Sequence, residues 1–261
     1  MKRIYYFLIA IICISCTYYD NTFPYDFENV TELIELDGKM QEVSGLFYKN
    51  DKTLYAVKDE EGEIFEVNLE SGEHKKIIDF KKEGDFEGIA KAGKHFYALK
   101  SDGDVYKIED GSDDKFTFSS DKKGWEFEGL TVDAKGKNLL VACKNHGDKD
   151  KNDKIYIYPF SIGKKEYLKK EAIVIDKKDI HENFKTSAIS LAPNGNLFIV
   201  SAISFTIAEI NMEGKVIQKA QLPFLMYNQV EGMCFDKAGN LFLASEKGDQ
   251  DRAKIIKLNK I

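Results

Sequence analysis

The sequence predicts an all-β fold: a β-propeller of five four-stranded blades, with a strand from the N-terminal side closing the last blade. Three observations carry this. A short motif recurs five times. Each copy is followed by two further apolar runs at matching distances. The last copy runs out one strand short, while a spare strand stands at the other end of the chain.

The motif reads Glu42-Val43-Ser44-Gly45-Leu46, Asp85-Phe86-Glu87-Gly88-Ile89, Glu126-Phe127-Glu128-Gly129-Leu130, Lys185-Thr186-Ser187-Ala188-Ile189 and Gln229-Val230-Glu231-Gly232-Met233. Aligning Ser44, Glu87, Glu128, Ser187 and Glu231 gives spacings of 43, 41, 59 and 44 residues. A unit of about 40–45 residues is the length of one blade. The motif would form the innermost strand, where glycine lets neighbouring backbones crowd at the axis. The second strands are Leu54–Val57, Phe96–Leu99, Leu139–Ala142, Leu197–Val200 and Leu241–Ala244. Alternating third runs follow at Ile64–Val67, Val105–Ile108, Ile155–Tyr158, Thr206–Ile210 and Ile255–Leu258. Glu61-Gly62, Asp102-Gly103, Asn194-Gly195 and Gly239-Asn240 mark turns between runs.

Fourth strands are expected at Lys75–Phe80, Phe116–Ser119, Ala172–Ile175 and Val216–Leu222. The fifth unit ends at Ile261 after three, and Val30–Leu36 supplies the missing one. That closure would remove both open sheet edges. Six blades are the alternative, should the long interval between Glu128 and Ser187 hide another.

Residues 1–16 read as a leader. Lys2 and Arg3 precede a mostly apolar run, Ile4–Ser15, too short to span a bilayer. The run ends Ser15-Cys16, which resembles the cleavage and acylation site of a lipoprotein, with Cys13 where leucine is usual. The expected organisation is a signal peptide to Cys16, a short tether over 17–29, and the propeller over 30–261. The expected location is the cell envelope, on the exported side of a membrane held through the lipid. Net charge is −6 with mixed signs along the chain, which argues against nucleic acid as a partner. A monomer is expected. Cys143 and Cys234 stand in apolar runs of non-adjacent blades and read as buried thiols.

Chemistry would gather at one end of the axis. The start of the first strand and the end of the second open on the same funnel. This assigns Glu42, Asp59, Glu87, Asp102, Glu128, Asn145, Glu231 and Glu246 to it, with Ser44, Glu60, Ser101, Lys144, Ser187, Ser204 and Lys247 nearby. Glu87, Glu128 and Glu231 occupy equivalent places. They would either cap backbone donors, contact a ligand, or hold a hard cation such as calcium through oxygen ligands. The run Asp148–Asp153 alternates oxygen side chains but lacks the glycine and distal glutamate of a calcium loop, so it reads as a solvated hairpin. His74, His95, His146 and His181 have no metal-ligand spacing and read as exposed loop residues. Trp125 reads as packing rather than ligand stacking. Nucleophile elbow and Walker loop are absent, and the one Cys-x-x-Cys, Cys13-Ile14-Ser15-Cys16, lies in the leader.

Glu42-x-Ser44-Gly45-Leu46, Asp59-Glu60, Asp85-Phe86-Glu87-Gly88-Ile89 and Glu128-Gly129-Leu130 together resemble the SdiA-regulated family of exported propellers, over about Val30 to Ile261. The resemblance implies an envelope-associated propeller, similar in shape to calcium-dependent lactonase and phytase-like propellers. The fourth repeat departs, with Ser187-Ala188 for Glu-Gly, so a full acidic ring is not implied. Two functions follow as expectations. One is a membrane-anchored binding module for a small molecule or envelope protein. The other is a calcium-dependent hydrolase of a small ester, lactone or phosphoester in the funnel.

Overall fold

The computed structural model describes residues 23–261 except 82, 110, 111, 120 and 122. Cys16 and the leader lie outside the described residues. The first strand, β1 (Glu32–Leu36), precedes blade 1, which is β2 (Val43–Asn50), β3 (Thr53–Lys58), β4 (Gly62–Asn68) and β5 (His74–Lys81). Blade 2 is β6 (Phe86–Ala92), β7 (His95–Lys100), β8 (Val105–Glu109) and β9 (Ser112–Phe116). Blade 3 is β10 (Glu126–Val132), β11 (Asn138–Asn145), β12 (Lys154–Ser161), β13 (Glu166–Tyr167) and β14 (Ile173–Asp176). Blade 4 is β15 (Ala188–Leu191), β16 (Leu197–Ser201), β17 (Thr206–Ile210) and β18 (Val216–Gln221). Blade 5 is β19 (Val230–Phe235), β20 (Leu241–Ser245) and β21 (Ala253–Leu258), with β1 as its outer strand.

The ring is therefore five-bladed. β1 pairs antiparallel with β21 from Glu32↔Lys257 to Leu36↔Ala253, so the two ends of the chain share one sheet. The inner strands β2, β6, β10, β15 and β19 neighbour one another in that order, and β19 lies against β2. The long interval in blade 3 holds a fourth strand in two pieces, not a sixth blade. β13 pairs with Phe160–Ser161 and β14 with Lys154–Ile157 of the same strand. Pro159 stands between the two pairings, and a proline has no N–H to offer a ladder.

Two boundaries differ from expectation. The fourth strand of blade 2 is Ser112–Phe116, where the apolar pattern pointed to Phe116–Ser119. Phe118 instead turns inward, 5% exposed, among Trp125, Phe127, Tyr158 and Tyr167. The aromatic residues that made the segment look like a strand are there to fill the gap between blades 2 and 3. The segment 17–29, read as a tether, is docked from Phe23 onward. Phe23, Tyr25 and Phe27 are buried between blades 4 and 5 against Phe198, Phe235 and Tyr227. Tyr25 Oη donates to the Gly239 carbonyl at 2.6 Å, and Tyr227 Oη donates to the Phe27 carbonyl at 3.1 Å.

Blade packing follows from alternation. One face of each sheet packs on the blade before and the other on the blade after, so strands such as Leu197–Ser201 and Leu241–Ser245 are buried throughout. The outer strand of blade 4 alternates half-buried and exposed instead, because solvent lies beyond it. Cys143 and Cys234 are buried and unbridged, as read. Among the described residues no helix is long and apolar enough to cross a membrane.

Candidate functional site

The inner strands carry a device that the motif conceals. In blades 1, 2, 3 and 5 the pairing of the first strand with the second slips between Val43 and Gly45, Phe86 and Gly88, Phe127 and Leu130, and Val230 and Gly232. Each slip is a β-bulge, and the extra residue is Ser44, Glu87, Glu128 or Glu231. A bulge takes a residue out of the ladder and re-aims its side chain. The glycine after it is required by crowding at the axis. A Cβ on Gly88 would lie 2.9 Å from Leu130 N and Cβ, and one on Gly129, at φ +94°, 2.9 Å from Ile189 N. Below Glu87 and Glu231 the axis is closed by Leu46, Ile89, Leu130, Ile189 and Met233 around a void of only about 10 Å³. The funnel is thus a cup and not a channel.

In blade 4 the paired stretch starts only at Ala188, so Ser187 stands just before the strand. Its pairing with the second strand is regular from Ala188↔Val200 to Leu191↔Leu197. Ser187 N donates to the Val200 carbonyl at 2.8 Å, and Ser187 Oγ donates to the Val230 carbonyl of blade 5 at 2.6 Å. Ser44 does the same between blades 1 and 2, donating to the Phe86 carbonyl at 2.6 Å. The two serines bind blades together, and the three glutamates face the cup.

The three glutamates do not act alike. Glu128 forms an ion pair with Lys144, which stands at the end of the second strand of the same blade. Burial raises the Glu128 carboxyl despite the opposing pull of Lys144, and its Oε2 is buried without a partner. Burial pulls the Lys144 ammonium down, but the charge of Glu128 outweighs it and holds the group above its ordinary value. Glu87 is pushed up to about 10, first by burial, then by the charges of Glu128, Asp85 and Glu231. Glu231 is pushed up to about 9 by burial and by Glu246, to which it is hydrogen-bonded. Glu246 rises to about 7 by burial, with Asp59, Glu87 and Glu42 adding to it against the bond from Glu231. Asp59 rises to about 6 by burial and the nearby Glu42. At neutral pH Glu87 and Glu231 are therefore carboxylic acids, able to donate, and Glu246 is poised between states.

A cavity of about 230 Å³ opens beside this cluster. Glu128 and Glu231 stand on it, with Lys144 and Lys185, Ser187, and the amides Asn228 and Gln229. Ile203, 55% exposed, lies at its rim. It occupies the blade 4 side of the funnel, where Ser187 stands in place of the glutamate of blades 2, 3 and 5.

Of the residues assigned from the sequence, Glu42, Asp59, Glu87, Glu128, Glu231 and Glu246 are electrostatically joined in this cluster. Asp102 serves its own turn, accepting from Asp104 N at 3.1 Å and lying 3.9 Å from Lys100 Nζ. Asn145 donates to Glu126 across β10 and β11. Lys185, Asn228 and Gln229 were not assigned. They precede the inner strands by three residues or fewer, so extending the same funnel rule backwards would have found them. His146 is buried, not exposed. Its ring sits 4.1 Å from Trp125 and 4.9 Å from Tyr156, and its Nδ1 accepts from Asp148 N at 2.9 Å. Burial lowers its pKa, so it packs as a neutral ring. Trp125 belongs to the same packing, parallel to Phe127 at 5.7 Å. In Asp148–Asp153, Asp148 caps a 3-10 turn and Asn152 accepts from His146 N at 2.8 Å. Among the described residues, no group of three or more His, Cys, Asp or Glu is arranged to hold a metal ion.

Five bulge-bearing or serine-tied blades around a closed, carboxyl-rich cup define a five-bladed propeller. The chain belongs to the SdiA-regulated family, whose pattern it matches over residues 20–248. Among solved structures, glutaminyl cyclase of Myxococcus xanthus is similar at 13% identity, over 88% of this chain and 95% of that one, with a TM-score of 0.59. The luciferin-regenerating enzyme is similar at 12% identity over 88% and 95%, with a TM-score of 0.55. A protein of unknown function from Bacteroides caccae matches 71% of this chain at 17% identity, with a TM-score of 0.48, and this chain spans 62% of its length. At these identities the likeness is one of fold.

Proposed function

We propose that the protein is a membrane-anchored, exported propeller that binds an amino-acid-sized zwitterion in the cavity on the blade 4 side of the funnel. One observation carries the reading. The cavity offers carboxyls on Glu128 and Glu231, ammonium groups on Lys144 and Lys185, and amides on Asn228 and Gln229, within about 230 Å³. An ammonium group of the ligand would favour the ionised form of Glu231 and Glu87, so its binding should release protons at neutral pH. The ligand's anionic group would meet Lys185. The anchor is the lipid expected on Cys16, whose test is release of Cys16→Ala from membranes in fractionated cells.

Calorimetry tests the site. Amino acids, betaines and small diamines are titrated in two buffers of different ionisation enthalpy. Zwitterions should give saturable heat that differs between buffers by the released protons, and diamines should bind more weakly for want of a group for Lys185. No heat from any zwitterion at millimolar concentration would overturn the reading.

The second reading is a calcium-dependent hydrolase of a small ester, lactone or phosphoester. Glu128 Oε2 and Asp59 Oδ1 favour it, because both are buried without a partner and a cation would satisfy them. Glu87, Glu128 and Glu231 would be its ligands. It requires Lys144 to swing away from Glu128. Under this reading calcium should raise the melting temperature and chelator should reverse the rise.

A further inference from the structure

The topology gives the propeller two unlike ends. Inner strands start, and second strands end, at the funnel. The hairpins after inner strands and after third strands lie at the opposite end. The funnel end carries the buried carboxyls already described, together with Glu60, Glu83 and Asp249. The opposite end presents an exposed lysine from every blade: Lys52, Lys94, Lys137, Lys215 and Lys237, with Lys164 in addition. Two of the aspartates in these turns serve the turns themselves. Asp133 Oδ1 accepts from Lys137 N at 2.8 Å, and Asp236 Oδ1 accepts from Ala238 N at 2.9 Å. Asp51, Glu70, Glu73, Glu109, Glu166 and Glu213 remain as exposed opposing charges on that end, and Lys135 and Lys165 add to the lysines.

The docked segment fixes where the anchor must emerge. Tyr25 is held on Gly239, in the turn between the first and second strands of blade 5. Pro24 accepts from Ile261 N at 2.9 Å, beyond the last strand at the same end. The described chain therefore begins at the lysine end. Six residues separate Cys16 from Phe23. As a coil such a link spans roughly 15 Å, and at full extension about 25 Å. The funnel rim stands a strand's length away, about 20 Å for six residues, before loops are added.

We infer that the face opposite the funnel is a docking surface for the anionic bilayer that holds the lipid anchor, so that the funnel opens away from the membrane. This rests on the proposed anchor at Cys16. The short link keeps the lipid on the side where the described chain begins, and the lysine turns there meet phosphate headgroups. The competing surface is the apolar rim of Ile203, Phe224 and Leu225 at the funnel end, 55%, 57% and 79% exposed.

The test uses the full chain, purified with its acyl groups and reconstituted into vesicles containing phosphatidylglycerol. Single-cysteine reporters carry a fluorophore at Lys94→Cys, Lys137→Cys and Lys237→Cys, or at Glu60→Cys and Asp249→Cys. The native Cys143 and Cys234 are buried. Vesicle flotation is read first. Protein that fails to float, with a mass showing no acyl group on Cys16, overturns the anchor and this orientation together. With floating protein, quenching by a nitroxide on the lipid headgroup should be at least threefold stronger for the lysine-end reporters. The joint change of Lys137, Lys164 and Lys237 to Glu should reduce that ratio on anionic vesicles and leave it unchanged on neutral ones. Equal quenching at both ends, or stronger quenching at the funnel end, overturns the orientation while leaving the anchor standing.

Discussion

Blade 3 and blade 4 are neighbours built from the same repeat, yet they meet the funnel in opposite ways. Blade 3 spends an extra residue in its inner strand, and Glu128 is turned into the cup to pair with Lys144. Blade 4 keeps a regular ladder, and Ser187 is bonded to the backbone of blade 5. The difference is two side chains, Glu-Gly against Ser-Ala. In blades 1, 2 and 3 the bulge at the axis needs a glycine behind it, because the next blade's backbone lies within 3 Å of where a Cβ would be. Ala188 brings a Cβ and goes with a regular strand. The carboxyls of blades 2, 3 and 5 are therefore interrupted at blade 4, as they are at Ser44 of blade 1, and the cavity lies in the blade 4 break.

The largest effect should come from denying blade 3 its bulge. Gly129→Ala places a Cβ 2.9 Å from Ile189 N at a φ of +94°, where an L-residue is strained and the neighbour is backbone that cannot yield. A loss above about 3 kcal/mol is expected, from backbone strain and displaced packing together. In blade 4 the reverse change, Ala188→Gly, should cost about 1 kcal/mol, the ordinary price of glycine in a strand. Urea melts of the two variants check the contrast. Equal losses would mean the axis is no tighter at blade 3 than at blade 4.

Next comes a carboxyl added to blade 4. Ser187→Glu should place a carboxylate in the cavity beside Glu231 and Glu128, and it removes the bond to the Val230 carbonyl. Zwitterion affinity should fall at least tenfold, with stability reduced by about 2 kcal/mol through the buried acceptor left unpaired. Titration calorimetry reads the first and thermal melting the second. Unchanged affinity would separate the cavity from the ligand site.

The charges inside the cup give the third. A carboxyl whose folded pKa is raised holds its proton while the unfolded chain gives it up. Its cost is absent below the unfolded value, near 4.5, and grows as pH rises toward the folded value. For Glu87 that window runs from about 4.5 to about 10. Glu87→Gln keeps the shape and a donor but cannot ionise when unfolded. It should melt with the parent at pH 4.5 and above it at pH 8, by about 1–2 kcal/mol once relaxation of the cluster is allowed for. Lower stability at pH 8 would mean that Glu87 is ionised in the fold and satisfied by a group not in this cluster.

The blades were legible because their signals are local and repeated. A period near 43 residues, apolar runs at fixed offsets and a spare strand at Val30–Leu36 needed no knowledge of packing. The equivalence of Glu87, Glu128 and Glu231 was legible for the same reason. What the three do was not, because a bulge adds one residue to a strand and leaves no mark in composition. Glu231 and Glu246 lie 15 residues apart, and their shared proton depends on how blade 5 folds back. The docking of Phe23–Phe27 was hidden because three aromatics among polar residues look alike whether they line a groove 200 residues away or flank a linker. The shifted strand in blade 2 came from treating Phe116–Ser119 as a ladder when Phe118 is core.

The smallest effect tests the two serines that share one task in different settings. Ser44 sits in a bulge and donates to the Phe86 carbonyl at 2.6 Å. Ser187 stands just before the blade 4 inner strand, donates to the Val230 carbonyl, and also accepts from Ala202 N at 3.1 Å. Ser44→Ala loses one donor and leaves one buried carbonyl lacking that bond, so about 1 kcal/mol is expected. Ser187→Ala additionally strands the Ala202 N–H, and orphaned N–H groups are the scarcer and costlier kind, so about 2 kcal/mol is expected. The serines tie different pairs of blades and share no partner, so the double variant should lose the sum within about 0.5 kcal/mol. A coupling beyond that would show that the ring transmits strain from blade 1 to blade 4 through the crowded glycines at the axis, and that the regular strand of blade 4 is held in place by the bulges of the others.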